Sequence, residues 1–569
     1  MRKKMNTMIA IAMSFILAAG LTGCGKTDQA AQTVPGETTV SEEQGTKGQE
    51  LSTVKILGSN YTFTGANGRT VTLKDWSTKG KSRRWKKLTD DLAAKGVKLE
   101  LDLIEPDQYE TTCQTMAASG QFAKYDMLNI TPLDDKTKIN LVKQGQIQPI
   151  SDIWEQYSEG PAKEFFSTEA GKYFFNHMKL EDEKCYWLSD FGTSNYQKEK
   201  ETNSILGFQL RQDWLDIIGK EIPTTLDEFF NVLKEFQDKD VNQSGTADEF
   251  ISLDLGSFST DIAQWFGLGI GLTFINSQEG NKVTSPWYQE HVKDYITYMQ
   301  KLYAAGLLKM RDNQFNTYMA NNQIAGISDW GTEMWLEPSI TVPESAAYPW
   351  YVPFRIQAVE GQVPLFRGQN KYNSSSRAYA VSSNSDKQAA IAKILDYLVS
   401  EESIELTEYG IEGVSYKMVD GNISNIIDGS LENTDAVGMA LWTNNSIFPR
   451  FELNKDISGE MKNTIQFAKD NGVKNNAEGK YDFTLEGIND PDHRLFHDET
   501  AYAVPTLDEI SRTNEISNDL ATYASELLTK LIMGEKSLDD WDSYLQDLKE
   551  LGLDDLIEIN QARYDRAMK

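Results

Sequence analysis

Residues 211–249 read RQDWLDIIGKEIPTTLDEFFNVLKEFQDKDVNQSGTADE, and the two halves of this stretch follow different patterns. In the first half, Asp213 is predicted to cap a short helix, and Gly219 suits the left-handed position that ends one. Thr225 and Glu228 have the spacing of a capping box before a helix with an apolar face. The first half therefore predicts two helices of a packed framework. The apolar residues predicted to share the inward side of the short helix are Trp214, Ile217 and Ile218.

The second half places oxygen-bearing groups at alternate positions around Gly245. A set made only of oxygens suits a hard cation such as Ca²⁺, and a glycine supplies the sharp turn. We therefore predict a structural calcium site and no catalytic cofactor, with an ordinary polar turn as the alternative. The predicted ligands are Asp240, Asn242, Ser244, the carbonyl of Thr246, Asp248 and Glu249.

The amino terminus has the pattern of an export signal. Arg2, Lys3 and Lys4 precede an apolar run over 8–19 that is short for a membrane-spanning helix. We predict a signal peptide over 1–23, followed by lipidation of Cys24. The alternative is an ordinary secretory signal with an incidental cysteine. Residues 24–50 are polar and rich in small side chains, so we predict a flexible tether behind the lipid anchor.

Composition limits the function. The formal net charge of −29 excludes a general nucleic-acid binder, because phosphate binding needs clustered Lys and Arg. The roughly 520 residues that follow the tether suggest two or more lobes. Only Cys113 and Cys185 accompany Cys24, and whether these two form a disulfide is left open.

Strand and helix patterns alternate along the chain. Strands are predicted at 97–104 and 126–130, with a helix at 107–119 between them, which favours an α/β fold with a mainly parallel sheet. A later strand at 378–382 and a helix at 387–400 are similar to the first-lobe material. The chain is therefore predicted to leave the first lobe and return to it.

Four motifs carry a resemblance to a known family. They are Arg-x-Asp-Trp-Leu at 211–215, Pro-Thr-Thr-x-x-Glu at 223–228, the loop at 240–249, and Tyr-Gly-x-Glu-Gly-x-x-Tyr at 409–416. Together with Leu-Thr-Gly-Cys at 21–24, they resemble the extracellular solute-binding lipoproteins of bacterial ABC importers. The similarity is to the large oligosaccharide-binding branch that includes maltodextrin- and alginate-binding proteins.

The resemblance implies a fold and a division of the chain. The fold is α/β, two-lobed and periplasmic-binding-protein-like (type II), with a hinge between the lobes and a ligand cleft. Residues 51–198 and 355–405 would form the N-lobe. Residues 199–354 and 406–569 would form the C-lobe, with a helical C-terminal extension.

It also implies a function. The chain would be a lipid-anchored receptor on the extracellular face of the cell membrane of a Gram-positive-type bacterium. It would capture an oligosaccharide, neutral or acidic, and present it to an ABC permease, and it is expected to be a monomer and not an enzyme. The alternatives are an exported glycosidase and a surface adhesion or signalling lipoprotein.

Ligand contacts are predicted from the rule that the crevice of an open α/β sheet lies beyond the carboxyl ends of its strands. Sugars present apolar faces and hydroxyl rims, so aromatic platforms with nearby carboxylates or amides suit them. Core packing is the alternative for each tryptophan. The rule selects Trp76 after a predicted strand at 71–73, Asn129 and Thr131 after a strand at 126–128, and Trp330 after a strand at 324–328. Trp330 resembles the stacking tryptophan of maltodextrin-type proteins. Further candidates are Trp187, Trp265, Trp335, Glu412 and Tyr416.

A basic cluster at 79–87 interrupts the acidic background of the chain. It could attract an acidic sugar, and a solvated helix face is the alternative.

Overall fold

The structure is a computed structural model that describes most of the chain after residue 50. The described ranges are 51–64, 70–79, 82–193, 205–328, 351–368, 372–374, 377–408, 410–414, 416–419, 422–425, 446–453, 486, 490, 493–496 and 502–569. Five of the predictions lie outside these ranges: the signal peptide, the tether, Cys24, Trp330 and Trp335. Across the described part of the chain, no helix combines the length and the apolar character needed to cross a bilayer.

Short strands and helices alternate through the described residues. The strands are β1 Ser52–Ser59, β2 Thr62–Thr64, β3 Thr70–Thr72, β4 Val97–Ile104, β5 Met127–Asn129, β6 Ile147–Gln148, β7 Trp187–Leu188, β8 Phe191–Thr193, β9 Ile205–Leu206, β10 Phe208–Arg211, β11 Phe250–Leu253, β12 Phe274–Asn276, β13 Lys282–Thr284, β14 Leu308–Met310, β15 Ile324–Ser328, β16 Tyr351–Phe354, β17 Phe366–Gly368, β18 Tyr372–Ser374, β19 Tyr379–Ser382, β20 Tyr416–Val419, β21 Asn422–Asn425, β22 Phe451–Leu453 and β23 Arg494–Phe496. The α-helices are α1 Leu73–Lys79, α2 Arg83–Ala94, α3 Pro106–Ser119, α4 Asp135–Lys143, α5 Ile150–Tyr157, α6 Pro161–Ser167, α7 Glu169–Met178, α8 Gln212–Ile218, α9 Leu226–Asp238, α10 Asp261–Trp265, α11 Val292–Ala304, α12 Phe315–Ala320, α13 Gln388–Leu398, α14 Glu401–Glu408, α15 Leu507–Ile532, α16 Trp541–Glu550 and α17 Leu553–Ala567.

The first sheet has the strand order β4-β1-β5-β19-β6, with β7 also pairing to β19. Strands β4, β1 and β5 are parallel, and β19 runs antiparallel to β5. The predicted strands at 97–104 and 378–382 are present as β4 and β19, and β19 joins the first sheet beside β5. Both faces of this sheet are covered, because Val54 and Ile56 lie in one core whereas Leu57 lies in another.

The second sheet has the order β14-β11-β15-β10-β16. Strands β14, β11 and β15 are parallel, whereas β10 is antiparallel to both of its neighbours. Its core contains the aromatic face of α9 and continues into the C-terminal helices from Leu520 to Leu556. The two sheets, each with its own core, give the two-lobed α/β fold that the sequence predicted.

Six short strands lie between the two sheets along the chain. Strands β8, β18 and β22 form one three-stranded sheet, and β9, β17 and β23 form another. The chain passes from β8 to β9, from β17 to β18, and from β22 towards β23. These six strands are the hinge of several strands that the fold class implies, and we call them the crossing strands.

The stretch at 211–249 confirms some boundaries and corrects others. Gly219 ends α8 with a positive φ of 68°, and Trp214 is buried, as predicted. Asp213 does not cap the helix, because its carboxylate instead accepts hydrogen bonds from the Arg211 guanidinium. Ile217 is 58% exposed rather than inward-facing.

The predicted capping box is only half formed. Thr225 accepts a hydrogen bond from the backbone N–H of Glu228, as expected, but the Glu228 carboxylate accepts from Thr224. A reciprocal capping box occurs elsewhere, between Thr506 and Glu509 at the start of α15.

The packing bears on the lobe boundaries and on the cysteines. Leu406, Ile447 and Phe451 all pack into a first-lobe core, which favours placing these three residues with the first lobe rather than with the C-lobe. Cys113 and Cys185 are free thiols buried in two different cores.

Candidate ligand-binding site

The carboxyl end of β5 forms a polar edge on the first sheet. Asn129 is fully buried there, and its side-chain amide donates to the carbonyl of Ser446 over 3.0 Å. Its side-chain oxygen accepts from the backbone N–H of Thr131, also over 3.0 Å. The Tyr109 hydroxyl donates to the Asn129 carbonyl over 2.6 Å. Asn129 therefore positions the backbone at this edge through its hydrogen bonds to Ser446, Thr131 and Tyr109.

The segment that contains Ser446 can approach β1 closely because residue 58 is glycine. A Cβ atom on Gly58 would lie 2.6 Å from the carbonyl oxygen of Ser446 and 2.6 Å from a methyl carbon of Ile447. The backbone N–H of Ser59 donates to the same carbonyl. This contact fixes a distant part of the chain against the strand ends.

An acid–base pair lies beside Asn129 at the first edge. Thr131 accepts a hydrogen bond from the N–H of Ala378, and the preceding residue, Arg377, donates from Nη1 to the Asp190 carboxylate. The other Asp190 oxygen accepts from the N–H of Arg450 over 2.9 Å. Asp190 precedes β8 directly, Arg450 precedes β22, and Arg377 follows β18, so this one carboxylate joins all three crossing strands on the first-lobe side.

A second acid–base pair lies at the carboxyl end of β15 in the second sheet. The Ser328 hydroxyl donates to the Asp261 carboxylate over 2.6 Å and accepts from the Asp261 N–H over 3.1 Å. Arg367, on β17, lies 3.7 Å from the other Asp261 oxygen and donates to the carbonyl of Ser259 over 2.6 Å. Asp261 therefore joins a crossing strand to the end of a sheet strand.

Strand pairing connects the two edges through the crossing strands. On the first sheet, Tyr379 pairs with both Asn129 and Leu188. Leu188 ends β7, and β8 is the next strand along the chain. On the second sheet, Phe208, which follows β9, pairs with Ser328. Both polar edges thus lie where the crossing strands join the sheets, which is where a ligand held between two lobes would bind.

The loop at 240–249 is closed by its own side chains. The Ser244 hydroxyl lies 2.8 Å from an Asp248 oxygen and 3.5 Å from an Asp240 oxygen, and it also donates to the Thr246 carbonyl over 3.1 Å. Asn242 donates to Asp248 over 2.9 Å. The oxygens of the loop are therefore gathered around Ser244, with Gly245 at a positive φ of 81° in the turn, as predicted.

The two acids that end the loop have opposite pKa shifts. Burial raises the pKa of Glu249, although its carboxylate accepts from the N–H groups of Asn242 and Asp248. Burial also opposes ionisation of Asp248, but hydrogen bonds from Asn242, Ser244 and Gln323 outweigh it and lower the pKa of Asp248. The donor set is all oxygen and fits Ca²⁺ in its chemistry. In the described ranges, however, no cluster of three or more His, Cys, Asp or Glu side chains is arranged to hold a metal ion.

Residues 76–405 match the family described as bacterial extracellular solute-binding protein. The chain belongs to this family. The match spans more than half of the sequence and covers the whole second sheet and every strand of the first sheet except β1.

Two curated relatives are similar to this solute-binding protein along much of their length. Lipoprotein LipO of Bacillus subtilis (strain 168) is 21% identical, over 57% of this chain and 68% of LipO. The fructooligosaccharide ABC transporter substrate-binding protein FusA of Streptococcus pneumoniae serotype 4 is 21% identical, over 78% of this chain and 80% of FusA.

Solved structures share the fold. A human-milk-oligosaccharide (HMO) binding, ABC-transporter-associated solute-binding protein from Bifidobacterium longum infantis has a TM-score of 0.64 at 17% identity, covering 91% of this chain and 99% of that one. An EF-hand mutant of FusA in complex with fructo-nystose has a TM-score of 0.61 at 15% identity, with the same coverage. The type II, two-lobed architecture predicted from the sequence is therefore confirmed.

The structure places three predicted tryptophans of the solute-binding protein in cores. Trp76 lies in α1 and not beyond a sheet strand, because β3 pairs only with β2 in a separate ribbon. Trp187 packs in the core that also holds Leu128. Trp265 packs against Phe208, Phe229 and Phe354 in the second-lobe core. Their burial favours the packing alternative.

The other described candidates divide between the edge and a hairpin. Asn129 and Thr131 lie together at the first edge, where their hydrogen bonds position neighbouring residues. Tyr416 is buried at the start of β20, and its hydroxyl donates to Glu405, whereas Glu412 is exposed in the preceding turn. Ligand roles for all of these residues stay predictions.

Two lysines of the basic cluster form ion pairs. Lys86 contacts Asp90, and Lys87 contacts both Asp91 and Glu402. Burial opposes the charge of Lys87, yet its two carboxylate partners raise the pKa of Lys87 overall. This pairing favours the helix-face alternative over a surface for acidic sugars.

Four residues of the two edges were not predicted from the sequence: Asp190, Arg377, Asp261 and Arg367. The two partners of the first pair are 187 positions apart and those of the second 106 apart, so no local spacing marks them. Their one shared feature along the chain is that each lies at the start of a strand, Asp190 directly before β8 and Arg377 two residues before β19.

Proposed function

We propose that this chain is a lipid-anchored receptor that captures an oligosaccharide between its two lobes and presents it to an ABC permease. The observation that carries the proposal is the pair of polar edges, one on each sheet, at the two ends of the same crossing strands. The names of its relatives support the ligand class, since FusA is described as binding fructooligosaccharide and the Bifidobacterium protein as binding HMO. The working form is a monomer without enzymatic activity.

Ligand binding would act by population shift. A ligand that touches both edges has more contacts in the closed form than in the open form, so it favours closure by that difference in affinity. The crossing strands absorb the change in angle between the lobes, as in other hinge-closing proteins.

The test is a thermal-shift panel of neutral and acidic oligosaccharides, measured on the purified mature chain. We expect the melting temperature to rise with at least one saccharide, because a ligand that binds only the folded state stabilises it. A flat response across a broad panel would remove the support for a saccharide ligand. Release of shorter products during incubation would contradict a receptor without enzymatic activity.

For the membrane anchor, we propose lipidation of Cys24 after removal of residues 1–23, with 24–50 as the tether. LipO, a lipoprotein, supports this assignment. Replacing Cys24 with Ser should move the protein from the membrane fraction into the medium or periplasm. Unchanged membrane retention would contradict the lipid anchor.

For the loop at 240–249, we propose a structural calcium site. Its ligands would be Asp240, Asn242, Ser244, the Thr246 carbonyl, Asp248 and Glu249. The EF-hand named for FusA supports a cation-binding loop in a related fold. Bound calcium would neutralise the acidic loop and hold α9 against β11.

Removal of calcium should lower the melting temperature, because a native-state ligand is lost. A chelator is expected to destabilise the wild type and to leave Asp240→Asn, which lacks one ligand charge, almost unchanged. Equal responses of the two proteins to the chelator would argue against this loop as the site.

A further inference from the structure

The two acid–base pairs at the polar edges differ in their access to solvent. Asp190 and Arg377 have 14% and 21% of their side chains exposed, whereas Asp261 and Arg367 have 4% and 9%. A bound molecule can therefore reach the first pair, but the second is closed to it.

The first pair also lies next to the groups that the strand-end rule selects. Arg377 adjoins Ala378, whose N–H donates to Thr131, and the next residue, Tyr379, pairs with Asn129. The guanidinium and carboxylate thus sit at the ligand edge of the first sheet. Together they offer donors and an acceptor, which are the groups that hydrogen-bond to sugar hydroxyls.

The Asp190 carboxylate also holds the crossing strands. One oxygen accepts a hydrogen bond from the Arg377 guanidinium, and the other accepts from the N–H of Arg450, which directly precedes β22. The backbone is closed in the same place, because Phe191 donates to the carbonyl of Arg450 over 2.8 Å. A group that contacts the pair consequently contacts the point from which all three strands leave the first lobe.

We propose that Asp190 and Arg377 form a ligand-contacting pair that binds saccharide hydroxyls and ties the bound ligand to the crossing strands. This rests on the proposed function and assigns it specific residues. Arg377 presents a planar fork that a lysine ammonium does not reproduce. Asp190 accepts from hydroxyls and disfavours anionic groups at the same position.

The test compares Arg377→Met, Arg377→Lys and Asp190→Asn with the wild type. Kestose serves as the neutral probe and trigalacturonate as the acidic probe, and titration calorimetry measures each Kd. Loss of a charged hydrogen-bonding group should weaken binding of the probe that the wild type binds by about ten- to a hundredfold in Arg377→Met. The Kd of Arg377→Lys should lie between the Kd of the wild type and that of Arg377→Met. The control is Arg512→Met, which removes an arginine from an exposed ion pair with Glu558 on the C-terminal helices and should leave Kd unchanged.

A second readout separates contact from structural support. Asp190→Asn removes a negative charge, so it should shift the ratio of affinities towards trigalacturonate. A purely structural role would lower the melting temperature of the ligand-free protein and leave this ratio, and the Kd of the folded protein, unchanged.

The outcomes are distinguishable. The assignment of this pair is overturned if Arg377→Met binds within twofold of the wild type. It is also overturned if Asp190→Asn leaves the ratio of affinities for the two probes unchanged. Either result leaves the receptor function standing. Absence of a wild-type response to every saccharide of the thermal-shift panel overturns the proposed function, and the assignment with it.

Discussion

The same chemical pair, one aspartate and one arginine, occurs at both ends of the crossing strands in two different settings. At the second-lobe end, Asp261 and Arg367 are closed off from solvent, and they also contact a serine hydroxyl and a backbone carbonyl. At the first-lobe end, Asp190 and Arg377 are partly open. A buried pair is costly to break, because removing one partner leaves a charge in a poor solvent, whereas an accessible pair can exchange contacts with water or ligand. Burial, rather than residue type, separates a structural junction from a binding surface.

The strongest test of this difference between the two pairs is the substitution Asp261→Ala. It leaves the Arg367 guanidinium buried with its acidic partner removed, so we expect the free energy of unfolding to fall by about 3–5 kcal/mol. Asp190→Ala is the matched control and should cost less, because water can solvate Arg377. Urea unfolding of both variants measures the difference. Equal losses would mean that the difference in exposure has no energetic consequence.

A smaller loss is expected for Asn129→Ala, which tests what supports the open pair. The substitution removes hydrogen bonds to Ser446 and Thr131 at a fully buried position. An unsatisfied buried carbonyl or N–H costs about 1–3 kcal/mol. Gln114→Ala removes an exposed side-chain amide on α3 and is the control. It should hardly change the free energy of unfolding. A stability like that of the wild type for Asn129→Ala would contradict its positioning role.

A third ion pair, Glu509 with Arg566, is intermediate in burial and allows a test by pH. Burial opposes the charge of Glu509, but hydrogen bonds from Arg566 and from the N–H of Thr506 outweigh it, so the pKa of Glu509 lies below its ordinary value of 4.5. A carboxyl whose pKa is lower in the folded state adds stability above its unfolded pKa and loses that contribution as pH falls through the folded value.

We therefore expect Glu509→Gln to be less stable than the wild type at pH 6, and the gap to narrow as the pH falls below about 4.5. Thermal unfolding from pH 6 to pH 3.5 measures the gap, and other carboxyl groups cancel in the comparison. A gap that widens towards acid would contradict the direction of the pKa shift.

The smallest effect is expected for Arg512→Met, at the exposed end of the series. Its contact with Glu558 is 3.8 Å long, with 41% and 75% of the two side chains exposed. Exposed pairs contribute about 0–1 kcal/mol, so the melting temperature should hardly change. A loss as large as that of Asp261→Ala would remove burial as the deciding variable.

Local chemistry was the part of the fold that the sequence could predict. Gly219 ends α8 because a left-handed residue is needed there, and Trp214 is buried by its helical position. The prediction for Asp213 was wrong because the Arg211 side chain competes for the same carboxylate. The capping box at Thr225 was half right because a second threonine precedes it.

The site was less predictable, since it depends on pairing between distant strands. Asn129 and Thr131 could be selected because β5, which pairs in parallel with β1, ends at Asn129, and Thr131 follows two residues later. Trp76 followed what was read as a sheet strand, and that strand belongs to a two-stranded ribbon instead. Asp190 and Arg377 meet only because β7, β19 and β22 converge, and convergence of this kind leaves no mark on residue spacing.

The position of β19 inside the first sheet has a consequence for how the molecule is made. This strand lies between β5 and β6, yet it is translated more than two hundred residues after them. A growing chain therefore cannot complete its first sheet until all five strands of the second sheet have been synthesised. Long-range pairing of this kind slows folding and leaves unpaired strands open in the meantime. In the exported receptor that we propose, this late strand would leave the first sheet incomplete while the chain crosses the membrane.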